Sequence, residues 1–144
     1  MSSVLEPEHQ GYVRWVRDVA VTHLRPLVEA GGPGRVNRPL LAARGEHRLL
    51  RGLFGGSPDE PPNAAAAMQL CLLRETLAAI AVEAETTLAL QGLGSYPILQ
   101  SGNPATVARW IPGIVRGTTV AAFALTEPEA GSDAGALQLR AKTV

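Results

Sequence analysis

A short polar stretch near the end of the chain, Thr126 to Asp133, combines residue types that commonly contact bound small molecules. It reads Thr-Glu-Pro-Glu-Ala-Gly-Ser-Asp, and it follows an apolar, β-branched run from Thr118 to Leu125 that predicts a strand. The proline fixes one φ angle, Gly131 allows another molecule to approach the backbone, and Ser132 offers a short hydroxyl. A strand that leads into such a turn is suited to holding a phosphate or the edge of a heterocycle.

Other side chains with chemical potential show no catalytic pattern. Glu75, Glu83 and Glu85 lie on a long predicted helix, where a general base is one interpretation and a solvated helix face is the more common one. The three histidines have neither the spacing nor the cysteine partners of a zinc site, and no Gly-x-Ser-x-Gly elbow occurs. The sequence therefore predicts no metal and no catalytic residue within the chain.

Helical periodicity accounts for most of the chain before the turn. The first predicted helix is Glu6–Leu24, and the second is capped by Asn37. A long helical stretch is predicted from Asn63 to about Gln91, and a further helix is capped by Asn103 and ends near Trp110. Their apolar positions predict buried faces, formed by Val13, Val16, Ala20, Leu24, Leu27, Leu40, Leu41, Leu49, Leu50, Leu53, Leu73, Leu77, Ile80, Ala84 and Leu88. We expect a mainly α fold of about five helices that ends in a single β-strand and turn.

Composition limits the classes of partner. The 144 residues are 46% hydrophobic and have zero formal net charge. Such a chain is expected to form one domain with a buried core, and it offers no basic surface for nucleic acid or an anionic membrane. We expect neither a signal peptide nor a membrane span. The single cysteine, Cys71, lies in an apolar helical pattern, which predicts a buried thiol and a cytoplasmic location.

The segment Ala124-Leu-Thr-Glu-Pro-Glu-Ala-Gly-Ser-Asp-Ala-Gly-Ala136 closely resembles the first signature of the acyl-CoA dehydrogenase family of flavoproteins. The resemblance continues upstream through Gly94-Ser-Tyr-Pro-Ile98, Gly102-Asn103 and Arg109-Trp-Ile-Pro112. It covers Leu70 to Ala141, about half of the chain, and the first third fits the family only as helices in the right order.

The resemblance implies two regions. Residues 1–117 would be the N-terminal α-helical domain of the family, and residues 118–144 would be the truncated start of its middle β-domain, with the FAD-contacting turn. In the family, the rest of the β-domain and a C-terminal helical bundle follow, and the bundle carries the catalytic glutamate. We therefore expect the chain to be incomplete alone: a fragment of a longer enzyme, a chain that self-associates, or one whose protein partner supplies the other parts.

The resemblance also implies FAD as cofactor and assigns residues to it. Phe123 and Leu125 would flank the isoalloxazine, and Thr126 would reach its N5/O4 edge, where a hydrogen-bond donor stabilises the charge of the reduced flavin. Gly131 and Ser132 would approach the pyrophosphate.

Three further positions follow from the same resemblance. Ser132 would also lie near the phosphopantetheine path of the substrate, and Leu90 and Leu93 match positions that line the acyl tunnel, with plain helix packing as the alternative. Glu127 would be a structural member of the turn. Glu129 stands where the family often has glycine, and we expect it to face solvent.

The implied reaction is the FAD-dependent α,β-dehydrogenation of an acyl thioester, a step of fatty acid metabolism, with acyl-CoA or an acyl-carrier thioester as substrate. Two other interpretations stay open. The chain could be a non-catalytic protein-interaction or dimerisation module derived from that fold, which predicts tight association without flavin. It could also be a small all-α binding protein, which predicts a stable monomer with a dry hydrophobic pocket.

Overall fold

The computed structural model describes residues 5–54 and 67–142, and in this part of the chain helices dominate. In chain order they are α1 (Pro7–Val19), a π-helical turn (Ala20–Leu24), α2 (Arg25–Glu29), α3 (Arg38–Glu46), a 3₁₀ turn (Leu50–Leu53), α4 (Ala67–Ala78), α5 (Val82–Ser101), α6 (Pro104–Val115) and a second 3₁₀ turn (Ala134–Ala136). The prediction of a mainly helical fold is confirmed.

The first helix continues past Pro26 because a wider, π-helical turn precedes this residue. Pro26 has no N–H to continue the α-helical ladder, and the preceding residues form the π-helical turn, in which the Arg25 N–H donates to the Ala20 carbonyl. α1, the π-helical turn and α2 therefore form one continuous helical rod. Its buried residues Val16, Ala20 and Leu24 follow the predicted stripe.

Two helix starts are fixed by asparagine caps, as predicted. The Asn37 side-chain oxygen accepts from the Leu40 N–H at 3.0 Å, and that of Asn103 accepts from the Thr106 N–H at 3.1 Å. The predicted cap Asn63 lies outside the described residues.

One hydrophobic core joins the described helices. α4 packs between α1 and α5, and α5 packs on α6, while the first 3₁₀ turn contacts α4, α5 and α6. Most predicted core positions are fully buried, with Leu24, Leu40, Leu50, Leu73, Leu77, Ala84 and Leu88 at 0% exposure. This packing makes α5 the central wall that the last part of the chain crosses.

The long predicted helix differs from the structure in three ways. It ends at Ser101 and not near Gln91. It breaks at residues 79–81, between α4 and α5, and not near the Thr86-Thr87 pair, because the Thr87 hydroxyl donates to the Glu83 carbonyl and stays within the helix. Cys71 is exposed, so the prediction of a buried thiol is wrong. It lies two residues before the buried Leu73, about 200° around the helix and so on the opposite face.

The predicted strand at Thr118–Leu125 does not form within the described residues. These eight positions belong to no ladder, and the isolated bridge that is present joins Glu127 to Ala130 in the turn beyond. A strand requires a neighbouring strand for its N–H and C=O groups, and the described part of the chain presents none. The segment is apolar and rich in β-branched residues, but composition alone does not create a pairing partner.

Candidate functional site

The turn after residue 125 is closed by its own backbone. The Glu127 N–H donates to the Ala130 carbonyl at 2.9 Å, and the Ala130 N–H donates back at 3.2 Å, so Pro128 and Glu129 form the tip. The Glu127 carboxylate accepts from the N–H groups of residues 138 and 139, each at 2.9 Å. Glu127 is therefore a structural member of the turn, as expected, and Glu129 is exposed, also as expected.

Beyond the tip, the turn presents small exposed residues. Gly131 and Ser132 are exposed, and a Cβ added to Gly131 would meet no atom within 4 Å. The Asp133 carboxylate accepts from the Gly135 N–H at 3.2 Å and caps the short 3₁₀ turn. Within the described residues, the N–H groups of Gly131 and Ser132 have no acceptor. Two unbonded amides on exposed residues suit an incoming anion.

The residues before the turn are also accessible. Phe123 is 42% exposed and Leu125 is 43% exposed, and Thr126 is exposed as well. Large apolar side chains at this exposure commonly mark a contact surface when they lie together. The structure thus leaves every position that the resemblance assigns to FAD open to a ligand.

A cavity of about 630 Å³ lies next to this segment. Its walls are the loop of residues 31–37, the first half of α5 from Val82 to Gln91, and residues 120–123. Leu90 and Phe123 line it together, whereas Leu93 is 51% exposed and does not line it. The volume falls in the range of small-molecule sites, and the lining is mostly apolar. Leu90 is thus placed beside the first of the proposed flavin-facing residues.

The last segment is held on α5 by close backbone packing. A Cβ at Gly94 would lie 2.6 Å from the Ala122 carbonyl oxygen, so only glycine permits this approach. Gly117 has φ +73° and sits against the Leu41 carbonyl, which reverses the chain after α6. Gly94 thus permits the close approach of this segment to α5, and Gly117 permits its close approach to α3.

Charged groups near the cavity are few. Arg35 and Glu83 line it and are exposed. Glu85, which does not line it, pairs with Arg74 through a 2.6 Å hydrogen bond. No group of three or more metal-ligating side chains occurs among residues 5–54 and 67–142. Within the same ranges, no helix is both long enough and apolar enough to cross a membrane.

The helical domain, its exposed polar turn and the adjoining apolar cavity can now be compared with known proteins. No family model matches the chain. Several curated acyl-CoA dehydrogenases do match part of it, and the resemblance to that family is confirmed for this region. The chain is thus similar to a part of these proteins.

Three relatives show the extent of the match. Cyclohexane-1-carbonyl-CoA dehydrogenase of Geobacter metallireducens is 35% identical over 72 residues, 50% of this chain and 19% of that protein. The enzyme of the same name from Syntrophus aciditrophicus is 31% identical over 88 residues, 61% of this chain and 22% of that protein. The human mitochondrial very long-chain specific acyl-CoA dehydrogenase is 43% identical over 51 residues, 35% of this chain and 8% of that protein. The aligned region is therefore a minor part of each relative.

Sequence reasoning missed some of the polar residues at this site. Gln91 and Ser95 are buried on α5, where they continue the stripe of Ala84 and Leu88 at helical spacing. Their spacing places them on the buried face of the helix, and buried polar side chains require hydrogen-bond partners. The sequence therefore contained a signal that these two residues bond to another segment. Arg44, fully buried on α3, was equally absent from the predictions.

Proposed function

We propose that this chain contributes the flavin-facing and acyl-facing helical part of an acyl-CoA dehydrogenase-like site. The observation that supports the proposal best is the continuity of the exposed segment 123–132 with the cavity beside α5. The names of the relatives supply the reaction class, which is the dehydrogenation of an acyl-CoA. For this chain, the reaction, the substrate and the cofactor are part of the proposal.

The residues present fit a flavin. Phe123 and Leu125 offer apolar faces for the isoalloxazine, and the exposed hydroxyl of Thr126 can donate to its N5/O4 edge. The unpaired amides of Gly131 and Ser132 can bind the pyrophosphate, because the nearby carboxylates of Glu127 and Asp133 already accept from backbone N–H groups. Bound FAD would supply the hydride acceptor of the reaction.

We assign the cavity to the acyl group of the thioester. Leu90 and Phe123 form part of its apolar wall, and Leu93 lies about one helical turn further along. By the family resemblance, Ser132 would lie near the path of the phosphopantetheine. Cyclohexane-1-carbonyl-CoA is the first thioester to test, since two relatives are named for it. The chain would bind and orient the acyl group and exclude water from it, while the proton-abstracting carboxylate would come from outside the described residues.

A second candidate is a non-catalytic interaction module. Leu93, Phe123, Leu125 and Leu139 are exposed apolar side chains, and residues 118–125 lack a strand partner within the described residues. Both features suit association with another protein surface. This candidate predicts complex formation that is indifferent to FAD. The predicted cytoplasmic location remains a prediction under either candidate.

The test is a titration of FAD fluorescence with the purified full chain. We expect weak, saturable binding, weakened roughly three- to tenfold by Thr126→Ala, since a neutral hydrogen bond contributes about 0.5–1.5 kcal/mol. Thr22→Ala is the matched control, because Thr22 is an exposed threonine in the π-helical turn and does not line the cavity. Equal affinities of the Thr126 variant and wild type would contradict the flavin assignment, and absence of any FAD binding would leave the interaction module as the better candidate.

A further inference from the structure

Gln91 is an amide side chain buried in the middle of α5. It is 1% exposed, and it lies on the face of the helix that the last part of the chain crosses. A buried glutamine requires hydrogen-bond partners for both ends of its amide, because an unsatisfied polar group in the interior is destabilising. Its partners therefore indicate what the residue does.

Both partners belong to the backbone of the crossing segment. The Gln91 amide nitrogen donates to the Thr119 carbonyl at 3.0 Å, and its oxygen accepts from the Ala121 N–H at 2.5 Å. A residue in a parallel strand makes the same two contacts, to the carbonyl before and the N–H after the residue opposite. Around Val120, the Gln91 side chain thus makes the two hydrogen bonds that a neighbouring parallel strand would make. The described residues contain no such strand.

No other side chain bonds to the backbone of residues 119–126 within the described part of the chain. Two other kinds of contact lie beside Gln91. The Thr119 N–H donates to the Gly113 carbonyl on α6 at 3.1 Å, and Gly94 permits the close approach of Ala122. Steric contacts limit how close the segment comes, but hydrogen bonds fix its register and direction. The Gly113 bond holds Thr119 to α6, whereas Gln91 bonds the segment to α5 and extends the hydrogen bonding to Ala121.

The residues that follow depend on this register. Phe123 comes two residues after the bonded Ala121 and lines the cavity together with Gln91 itself. A shift by one residue would exchange which side chains face the cavity and which face away, because side chains alternate along an extended backbone. Leu125 and Thr126 would be displaced in the same way.

We propose that Gln91 is a positioning residue, whose amide acts as a substitute strand and sets the register of residues 119–126. The inference rests on the proposed function where it concerns FAD, and on the hydrogen bonds alone where it concerns the backbone. Gln91 touches neither the flavin nor the reacting atoms in this assignment. Its effect on them passes through Thr119 and Ala121.

The test compares Gln91→Met with Gln100→Met in the full chain. Methionine has a similar length and no amide, and Gln100 is an exposed glutamine on the same helix, which makes it a matched control. Amide hydrogen exchange is measured residue by residue, and FAD affinity is measured by fluorescence. Gln91→Asn, which keeps the amide one methylene shorter, serves if the methionine variant does not fold.

We expect exchange at Ala121 to rise about tenfold in the Gln91 variants, with the amides of α1 and α4 unchanged. FAD binding should weaken about tenfold, with no change for Gln100→Met. A uniform rise in exchange along the chain would show a general loss of stability and overturn the inference, as would unchanged FAD affinity. If wild type itself fails to bind FAD, the proposed function fails, and exchange at Ala121 then decides alone whether Gln91 holds the segment.

Discussion

Replacing Arg44 with methionine tests how much a buried, incompletely hydrogen-bonded guanidinium costs in stability. Arg44 is fully buried on α3, and one of its nitrogens donates to the Ala84 carbonyl at 2.7 Å. Its Nε and its other terminal nitrogen have no hydrogen-bond partner among the described residues. Burial lowers the pKa of Arg44 from its ordinary value to about 10. The guanidinium is therefore charged at neutral pH, and burying this charge lowers the free energy of unfolding.

The structure gives the size of the expected effect. A fall in pKa of this extent corresponds to roughly 3 kcal/mol lost at neutral pH, because one pKa unit equals about 1.4 kcal/mol. Removing the side chain also loses its hydrogen bond to Ala84, about 1.5–3 kcal/mol for a charged donor. Methionine fills a similar volume without charge. We expect Arg44→Met to leave the free energy of unfolding unchanged or to raise it by about 1 kcal/mol.

Alanine at the same position separates charge from packing. Arg44→Ala removes the charge and the hydrogen bond as methionine does, but it also leaves a cavity in the core. The cavity should lower the free energy of unfolding by about 2–4 kcal/mol relative to the methionine variant. Urea unfolding followed by circular dichroism measures all three proteins, and Arg38→Met, at an exposed arginine on the same helix, is the control.

The pH dependence provides an independent check of the same reasoning. The folded pKa of Arg44 lies below the unfolded one, so the unfolded chain binds more protons between the two values, and wild-type stability should rise with pH above about 10. Any advantage of the methionine variant should then shrink above that pH. Destabilisation of Arg44→Met by more than about 2 kcal/mol at neutral pH would refute the reasoning, because it would mean that the buried charge is fully compensated.

Two further predictions concern the segment that crosses α5. Gly94→Ala places a methyl group 2.6 Å from the Ala122 carbonyl oxygen, so it should lower the free energy of unfolding, measured in urea, by about 1–3 kcal/mol. Gly131→Ala is the control, because the space there is open, and it should change the free energy of unfolding by less than about 0.5 kcal/mol. Glu127→Ala removes the carboxylate that accepts from the amides of residues 138 and 139, so the hydrogen exchange of these two amides should rise several-fold. Equal exchange rates in the variant and the wild type would show that the carboxylate does not hold this part of the backbone.

The helices were predictable because their signals are local. Asn37 and Asn103 cap helices in the sequence and in the structure, and the leucine stripe at Leu73 and Leu77 is buried as its spacing indicated. Local hydrogen bonds and one-sided burial are sufficient to define such elements. The exposed side of Cys71 was also encoded in that spacing, although the apolar composition around it suggested otherwise.

The crossing segment could not be predicted in the same way, because its conformation depends on contacts distant in sequence. Thr118 to Leu125 has the composition of a strand, yet its bonded backbone groups pair with the Gly113 carbonyl and with the side chain of Gln91, 28 to 30 residues earlier. The candidate cavity likewise joins the loop at 31–37 to α5 and to residues 120–123. The motif in the sequence predicts which residues face a ligand, but only the structure shows which helix holds the segment that precedes them.

The unbroken course of α5 connects these observations. Gly92, Gly94 and Pro97 suggest an interruption, but the helix continues from Val82 to Ser101, and the Ser95 hydroxyl donates to the Gln91 carbonyl at 2.5 Å. Because the helix is continuous, the cavity residue Leu90 and the contacts at Gln91 and Gly94 belong to one rigid element. A break at residues 92–97 would separate the cavity wall from the contact that packs against residues 119–126. The helix that lines the cavity therefore also sets the position of the turn beside it.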